Sequence, residues 1–304
     1  MIDEATTRAR LAPDDLPELL VHLGFHDDDA VEAVGFADRL RRSRSDVAAV
    51  ARMASLLTEG VGRLRNRDAV PDPWADLPDG REDLAILALL ASVPEVRAEH
   101  ARRQIPDEIS WGSLADLGQQ ISVNRRTHGR FGLDTYGWMR TAWSGGLMWL
   151  GRLQFVPKPT AEGWMLDTHI PASGPLTPES VEESFTAASL FFARHFPDTP
   201  ASAFLCTSWL LDPTITQLLP PASNLAQFQR RWSLAASGYQ SDESVLYFAF
   251  NVRSDPEDPI DVRTLTPRTS LQRAVAEHLT GGGHWYAWSG TAPLPDATAA
   301  RVTS

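Results

Sequence analysis

The chain carries a single cysteine, Cys206, in 304 residues. One thiol excludes an internal disulfide and a cysteine-built metal cluster, and it fits a reducing compartment. Long apolar runs are missing as well. No stretch approaches the roughly 20 residues that a membrane-spanning helix needs. The opening, MIDEATTRARLAPDD, has no apolar signal core. The expected location is therefore the cytoplasm, with no membrane partner. Positive charge is in deficit, since 28 Lys and Arg stand against 39 Asp and Glu, a net of −11. That balance argues against a nucleic-acid partner. Internal repeats and low-complexity tracts are absent too. His22 and His26 are spaced like metal ligands, but Gly24 lies between them and no third ligand is near, so no metal is expected. What is present is ordinary for a soluble globular protein: 43% hydrophobic and 22% charged residues. The length suits two domains. Ten tryptophans, eight of them from Trp138 onward, place the larger aromatic core or pocket in the second half.

The first part reads as helices. Asp14 and Asp15 cap a short one through Leu16, Leu19, Leu20 and Leu23, stopped at Gly24. Asp27 to Asp29 begin a second, with Val31, Val34, Phe36 and Leu40, ending in the basic run RRSRS as a solvated helix end. Ser45 caps a third, whose stripe is Val47, Val50, Met53, Leu56 and Leu57. Residues 67–82, rich in Pro, Asp and Gly, form a loop. The helical period returns at 84–90, at 93–103 and over 106–126, where Ile109, Leu114, Leu117 and Ile121 face inward. The turn-rich THGRFGLD, 127–134, joins this helical domain, 1–134, to a second domain, 135–304.

In the second domain residues 147–156, LMWLGRLQFV, suit a strand with Arg152 and Gln154 on one face. The central stretch is Gly163–Phe196. Its first part is a strand on which Asp167 and His169 share a face. A tight loop with Pro171, Gly174, Pro175 and Leu176 follows. Thr177 then caps a helix, Pro178 takes its first position and Glu179 complements its positive end. Free backbone N–H groups at such a helix start are a generic anion site. AFLCTSWLL reads as a buried strand with Ser208 and Trp209 on opposite faces. Short helices follow at 213–219 and after Ser223. RRWSLAAS and SVLYFAFNV read as strands, the latter with Leu246, Phe248, Phe250 and Val252 inward. A loop over 254–262, a helix over 269–279, a short strand over 284–288 and a loose tail from Pro293 complete the chain.

The order of strands and helices from Leu147 is similar to the core of the GNAT acyltransferase fold. The stretches GRLQF (151–155), HIPASGPLTPES (169–180), FFARHFP (191–197), SWLLDP (208–213) and LPPASNLAQFQRRW (219–232) resemble a bacterial, actinobacterial-type acyltransferase family. RTHGRFGLDTYGWMR (126–140) resembles its domain junction. That family pairs a helical N-terminal N-acyltransferase domain with a GNAT-like C-terminal domain. The resemblance, over roughly residues 80 to 253, implies an α+β fold. An all-helical domain would precede a mostly antiparallel central sheet flanked by helices. It also implies transfer of an acyl group to an amine acceptor, with acyl-CoA as co-substrate and no permanently bound cofactor. In GNAT enzymes a strand leads into the helix that holds the acyl-CoA pyrophosphate. Here Trp164–Ile170 and Pro178–Phe196 take those places. The usual glycine-rich signature is replaced by PASGPLT, and Pro175 and Pro178 remove two N–H donors. An acyl-carrier protein, whose phosphopantetheine also ends in a thioester, is the alternative donor.

Acyl transfer requires a neutral amine, a polarised carbonyl and a proton for the leaving thiolate. Asp167 and His169 are the candidate bases, although His169 could equally anchor the loop. Ser208 is the candidate donor to the leaving sulfur, or a backbone-bonded hydroxyl. Pro171, Gly174, Leu176, Thr177, Glu179, Arg152, Gln154 and Trp209 are the candidate donor-binding residues. Asp212 reads as a helix cap rather than a base, and Cys206 as a core residue rather than a nucleophile. Arg230 and Arg231 could bind phosphate or an acidic partner, one at most in a shared cleft. Trp138, Trp143, Trp149 and Trp209 could wall an acyl tunnel or fill the core. A catalytically silent, ligand-binding GNAT-like module is the alternative to the enzyme.

Overall fold

The computed structural model describes residues 1–65, 69–254 and 259–295. Parts of the expected loops at 67–82 and 254–262, and most of the tail, lie outside them. The chain forms two compact units, Met1–Trp149 with Val156–Pro159, and Leu150–Phe155 with Thr160–Ser304. The expected joint at 134 and this division differ by the segment that carries Met139, Ala142 and Trp143. Those side chains are buried in the helical core.

The first unit holds α1 (Glu4–Arg10), α2 (Leu16–His22), α3 (Asp27–Leu40), α4 (Arg44–Gly60), α5 (Glu82–Arg102), α6 (Asp107–Leu114), α7 (Asp116–His128) and α8 (Tyr136–Thr141). Asp3 caps α1, accepting from the Thr6 N–H at 2.7 Å. The cap of α4 is Ser43, two residues before the expected Ser45. Helix α5 is buried on every side over Leu84–Val93, so it is the axis of this unit. Two helices are expected here, over 84–90 and 93–103, but one continuous helix is observed, with Pro94 inside it. Side chains bond the carbonyls around the proline. Trp143 Nε1 donates to Leu89 O at 3.2 Å, and Arg10, paired with Glu95, donates to Ala91 O at 2.8 Å.

The opposite correction holds for 106–126, which is two helices broken at Ala115. The restart of α7 is stabilised from outside. The Gly118 N–H donates to Leu23 O at 3.0 Å. A Cβ at Gly118 would clash with the Gly24 carbonyl oxygen and stand 2.6 Å from that of Leu23. Gly24 itself has a φ of +71°. Gly118→Ala is therefore expected to lower unfolding free energy by about 2 kcal/mol, because backbone, not a pliable side chain, must move. Urea denaturation checks this, and an unchanged midpoint would contradict the packing. Of the RRSRS run only Arg41 and Arg42 close α3, with Arg42 paired to Asp38, while Ser43, Arg44 and Ser45 already open α4. His22 stacks on Trp111 at 4.6 Å between ring centroids.

The strands are β1 (Met148–Leu150), β2 (Leu153–Thr160), β3 (Gly163–His169), β4 (Ala201–Ser208), β5 (Ser233–Leu234), β6 (Tyr239–Gln240) and β7 (Tyr286–Pro293). They form a seven-stranded mixed sheet in the order β1-β2-β3-β4-β7-β5, with β6 also on β7. Strand β4 runs parallel to β3, whereas β7 is antiparallel to β4, β5 and β6. The helices after β3 are α9 (Pro178–His195), α10 (Thr214–Leu218), α11 (Asn224–Arg230), α12 (Asp242–Phe250) and α13 (Ser270–Thr280). Phe155, Phe185, Phe204 and Trp232 meet in the core, with the Phe185 and Phe204 centroids 4.2 Å apart.

Four strand assignments change. Residues 147–156 are not one strand but β1 and β2, and Arg152 lies in the turn between them rather than on a strand face with Gln154. SVLYFAFNV is helix α12, not a strand: Val245 and Leu246 are buried while Phe248 stands exposed. Asp242 anchors its start by accepting the Trp285 N–H at 2.7 Å, and Asn251, at φ 54°, ends it. RRWSLAAS contributes only β5, because Arg230 and Arg231 close α11. Strand β7 extends five residues beyond the expected 288, to Pro293. Its small residues hid it from a hydrophobic pattern, yet Gly290 is needed there: a Cβ would stand 2.8 Å from that of Trp232.

Candidate active site

Strand β3 ends at His169, and the chain turns through 170–177 into α9. The parallel ladder with β4 runs to Asp167 opposite Leu205. Thr168–His169 and Cys206–Ser208 therefore continue at neighbouring carboxyl ends, where open α/β sheets place their ligands. Asp167 is 8% exposed, and its Oδ2 lies 3.7 Å from His169 Nε2. Alternation along β3 brings this pair together, as two residues of one strand face.

The loop is braced from one side. Arg152 Nη1 donates to Pro171 O at 2.8 Å and Nη2 to Gly174 O at 2.8 Å. Its Nε is shared between Gly174 O and Pro175 O, at 3.1 and 3.2 Å. The Ser173 N–H closes a turn onto Pro171 O at 2.9 Å. Gly174 has a φ of +120°, and nothing lies within 4 Å of the position its Cβ would take. Glycine is thus required there by backbone conformation, with open space in front. Pro171 and Leu176 are buried and anchor the two ends of the loop.

Helix α9 starts as its sequence implies. Thr177 Oγ1 accepts from the Ser180 N–H at 3.2 Å, and the Val181 N–H closes on Thr177 O at 3.0 Å. Pro178 carries no donor, so the first turn keeps the Glu179 amide for an outside acceptor. Glu179 itself is exposed. Behind the loop, Ser184 Oγ accepts from the Arg152 N–H at 2.8 Å and donates to Ser180 O at 2.7 Å. Gly151, at φ +67°, approaches so closely that a Cβ would meet Ser184 Oγ at 2.8 Å. Burial lowers the pKa of the Arg152 guanidinium, and no carboxylate contributes to the shift. Gln154, two residues on, is buried in β2. Ser208 Oγ accepts from the Leu210 N–H at 3.1 Å, capping a 3₁₀ turn over Trp209–Leu211.

Residues 14–145 match the N-acyltransferase N-terminal domain, and residues 147–292 match the GNAT-like C-terminal domain. An acyltransferase crystallised with decanoyl-CoA and teicoplanin is 33% identical, with a TM-score of 0.84 over 93% of this chain and 88% of that one. An acyltransferase with CoA and 10C-teicoplanin is also 33% identical, with a TM-score of 0.83 over 92% and 88%. A mutant acyltransferase with octanoyl-CoA gives 33% and 0.84 over 93% and 88%. The chain belongs to this family of acyltransferases. No curated protein matches it.

Other candidates of this acyltransferase have structural partners. Trp209 lies in the 3₁₀ turn rather than on a strand, and it packs edge-on against the buried Trp285 at 6.2 Å. Trp143 and Trp138 are held in the first unit by Leu89 O and by the fully buried Asp116. Trp149 also belongs to that unit, where its N–H donates to Ser113 Oγ at 2.9 Å. Arg230 and Arg231 do not alternate, because they end a helix. Arg230 donates to Pro221 O, and Arg231 pairs with Glu182 while lying 4.5 Å from the Phe185 ring centroid. Cys206 is buried. Asp212 caps as expected: Oδ1 accepts from the Thr214 N–H at 2.8 Å and Oδ2 from the Tyr286 N–H at 2.7 Å.

Sequence reasoning missed Gly151 and Ser184, which seat Arg152. The signal was a glycine directly before an arginine, together with serines at 180 and 184 on one helical face. It also missed a shallow groove of about 400 Å³ between Val262–Leu265 and α13. That groove contains none of the candidate residues. No group of His, Cys, Asp and Glu among the described residues is arranged to hold a metal. Among those residues, no helix is long and apolar enough to cross a membrane.

Proposed function

We propose that this N-acyltransferase takes its acyl group from a medium-chain acyl-CoA and delivers it to an amine of a small-molecule or peptide acceptor. The carrying observation is the Asp167–His169 pair at the end of β3, directly before a braced loop and a capped helix. It stands in a chain 33% identical to acyltransferases solved with decanoyl-CoA or octanoyl-CoA. The first acceptor to test is teicoplanin, which one of those relatives holds together with decanoyl-CoA.

In this reading Pro171, Gly174, Leu176, Thr177 and Glu179 form the edge against which the CoA phosphates rest. Gln154 and Trp209 stiffen the strand and the turn behind it. The His169 imidazole takes a proton from the acceptor ammonium or amine, and Asp167 stabilises the resulting imidazolium. The amine nitrogen then forms a bond to the thioester carbon while the carbon–sulfur bond breaks. The departing thiolate is protonated by the Ser208 hydroxyl on the adjacent strand end, which recovers its proton from the His169 imidazolium, directly or through water. The Ser208 oxygen is already oriented by the Leu210 N–H. The single thiol and the use of free acyl-CoA both support action in the cytoplasm.

The deciding experiment is native mass spectrometry with CoA, octanoyl-CoA and decanoyl-CoA, followed by turnover with teicoplanin. Binding of the acyl-CoAs and an acceptor heavier by one acyl group are expected. Binding of no CoA species, with turnover only from an acylated carrier protein, would overturn the choice of donor. Binding without any turnover on a panel of amines would favour the silent module.

A further inference from the structure

Three observations converge on Arg152. First, its guanidinium spends donors from all three nitrogens on carbonyls of one loop, those of Pro171, Gly174 and Pro175. Second, its backbone is seated in the two-residue turn that joins β1 to β2, against Ser184. Gly151 lies against Ser184 in a positive-φ conformation, and the Arg152 N–H is bonded to Ser184 Oγ. Third, it is half-buried yet meets no carboxylate among the described residues, and burial alone accounts for its lowered pKa. A buried cation without a counter-charge is costly unless its hydrogen bonds are well made or an anion completes it.

We infer that Arg152 is the positioning residue of the donor loop, holding residues 171–175 in the shape that receives the phosphates of acyl-CoA. The inference rests on the proposed acyl-CoA reading. It explains how PASGPLT works without a glycine-rich signature. A glycine-rich loop reaches its shape through several flexible positions, whereas here only Gly174 takes a positive φ and the rest is fixed from outside by a planar fork. The guanidinium has five N–H donors, and the loop carbonyls engage three of them. Two donors and an uncompensated charge therefore remain beside the start of α9. Lysine would keep the charge but could not span three carbonyls at once.

The test compares wild type with Arg152→Lys and Arg152→Gln by two readouts. Hydrogen exchange of the peptide covering 170–177 is expected to rise about tenfold in both variants, with exchange in the middle of α9 unchanged. In steady-state kinetics with octanoyl-CoA, KM for the donor is expected to rise about tenfold or more, with kcat within a few-fold. Recovery of both readouts by lysine would reduce Arg152 to a point charge and overturn the inference. Unchanged loop exchange in both variants would do the same. If wild type turns over no acyl-CoA, the functional reading fails, yet the exchange readout still decides whether Arg152 holds the loop.

Discussion

Replacing His169 with glutamine is expected to lower kcat about 100-fold while the protein melts at its usual temperature. Glutamine approximates the size and hydrogen-bonding capacity of the imidazole but cannot accept a proton at neutral pH. A positioned general base contributes roughly 10² to 10⁴ in rate. The lower end is expected here, because water can still remove the proton from an acceptor that is held in place. Asp167→Asn should cost less, about tenfold, since its carboxylate acts through His169 at 3.7 Å rather than on the substrate. The double variant should then be little slower than His169→Gln alone, because both residues serve one proton transfer. Initial rates of CoA release with a saturating acceptor measure all three. Full activity in His169→Gln would leave it as a loop anchor at the end of β3. Additive losses would show that the two residues act separately.

The sequence showed the local parts of this site and hid the ties between them. Thr177, Pro178 and the apolar face of α9 follow one-helix rules, so the strand, loop and helix of 163–196 could be read directly. So could the cap at Asp212 and the burial of Cys206. The grip of Arg152 on the loop could not, because its acceptors are main-chain carbonyls 19 to 23 residues away, and carbonyls carry no residue type. The errors share one cause, which is tertiary support overriding a local signal. Helix α5 runs unbroken through the expected gap at 91–92 and through Pro94, where Trp143 and Arg10 bond the neighbouring carbonyls. Ala115 ends α6 because Leu23 receives the restarted helix. In 244–252 the alternation of aromatics suggested a strand. The anchoring of Asp242 by Trp285, far along the chain, fixed a helix instead. The αL-prone Asn251 was the one local clue to that helix end.

Stability should fall steeply in mild acid, and His100 should be a main cause. This residue lies near the end of α5, only 1% exposed, with Nδ1 2.6 Å from Ser110 Oγ. Burial, reinforced by the positive charge of Arg97 and opposed by Glu99, pushes its pKa down to about 4 from 6.5. The native protein thus keeps His100 neutral where the unfolded chain already binds a proton. Unfolding takes up that proton between the two values. The stabilising contribution is complete above pH 6.5, shrinks as pH falls, and is gone by about pH 4. The difference of roughly 2.5 units corresponds to about 3 kcal/mol. The ion pairs of Glu82 and Glu99 act at lower pH: Arg130 holds the Glu82 carboxyl below its ordinary value, and at Glu99 burial pushes the pKa up but Arg102 and Arg103 together outweigh it and hold it down. Urea unfolding of wild type and His100→Gln at pH 7.5 and pH 4.5 separates these effects. The variant should be weaker at pH 7.5, because a tightly packed ring is lost, yet lose less stability on acidification. Parallel losses in the two proteins would mean that His100 already accepts a proton within the fold, with the α5–α6 contact loose enough to admit water.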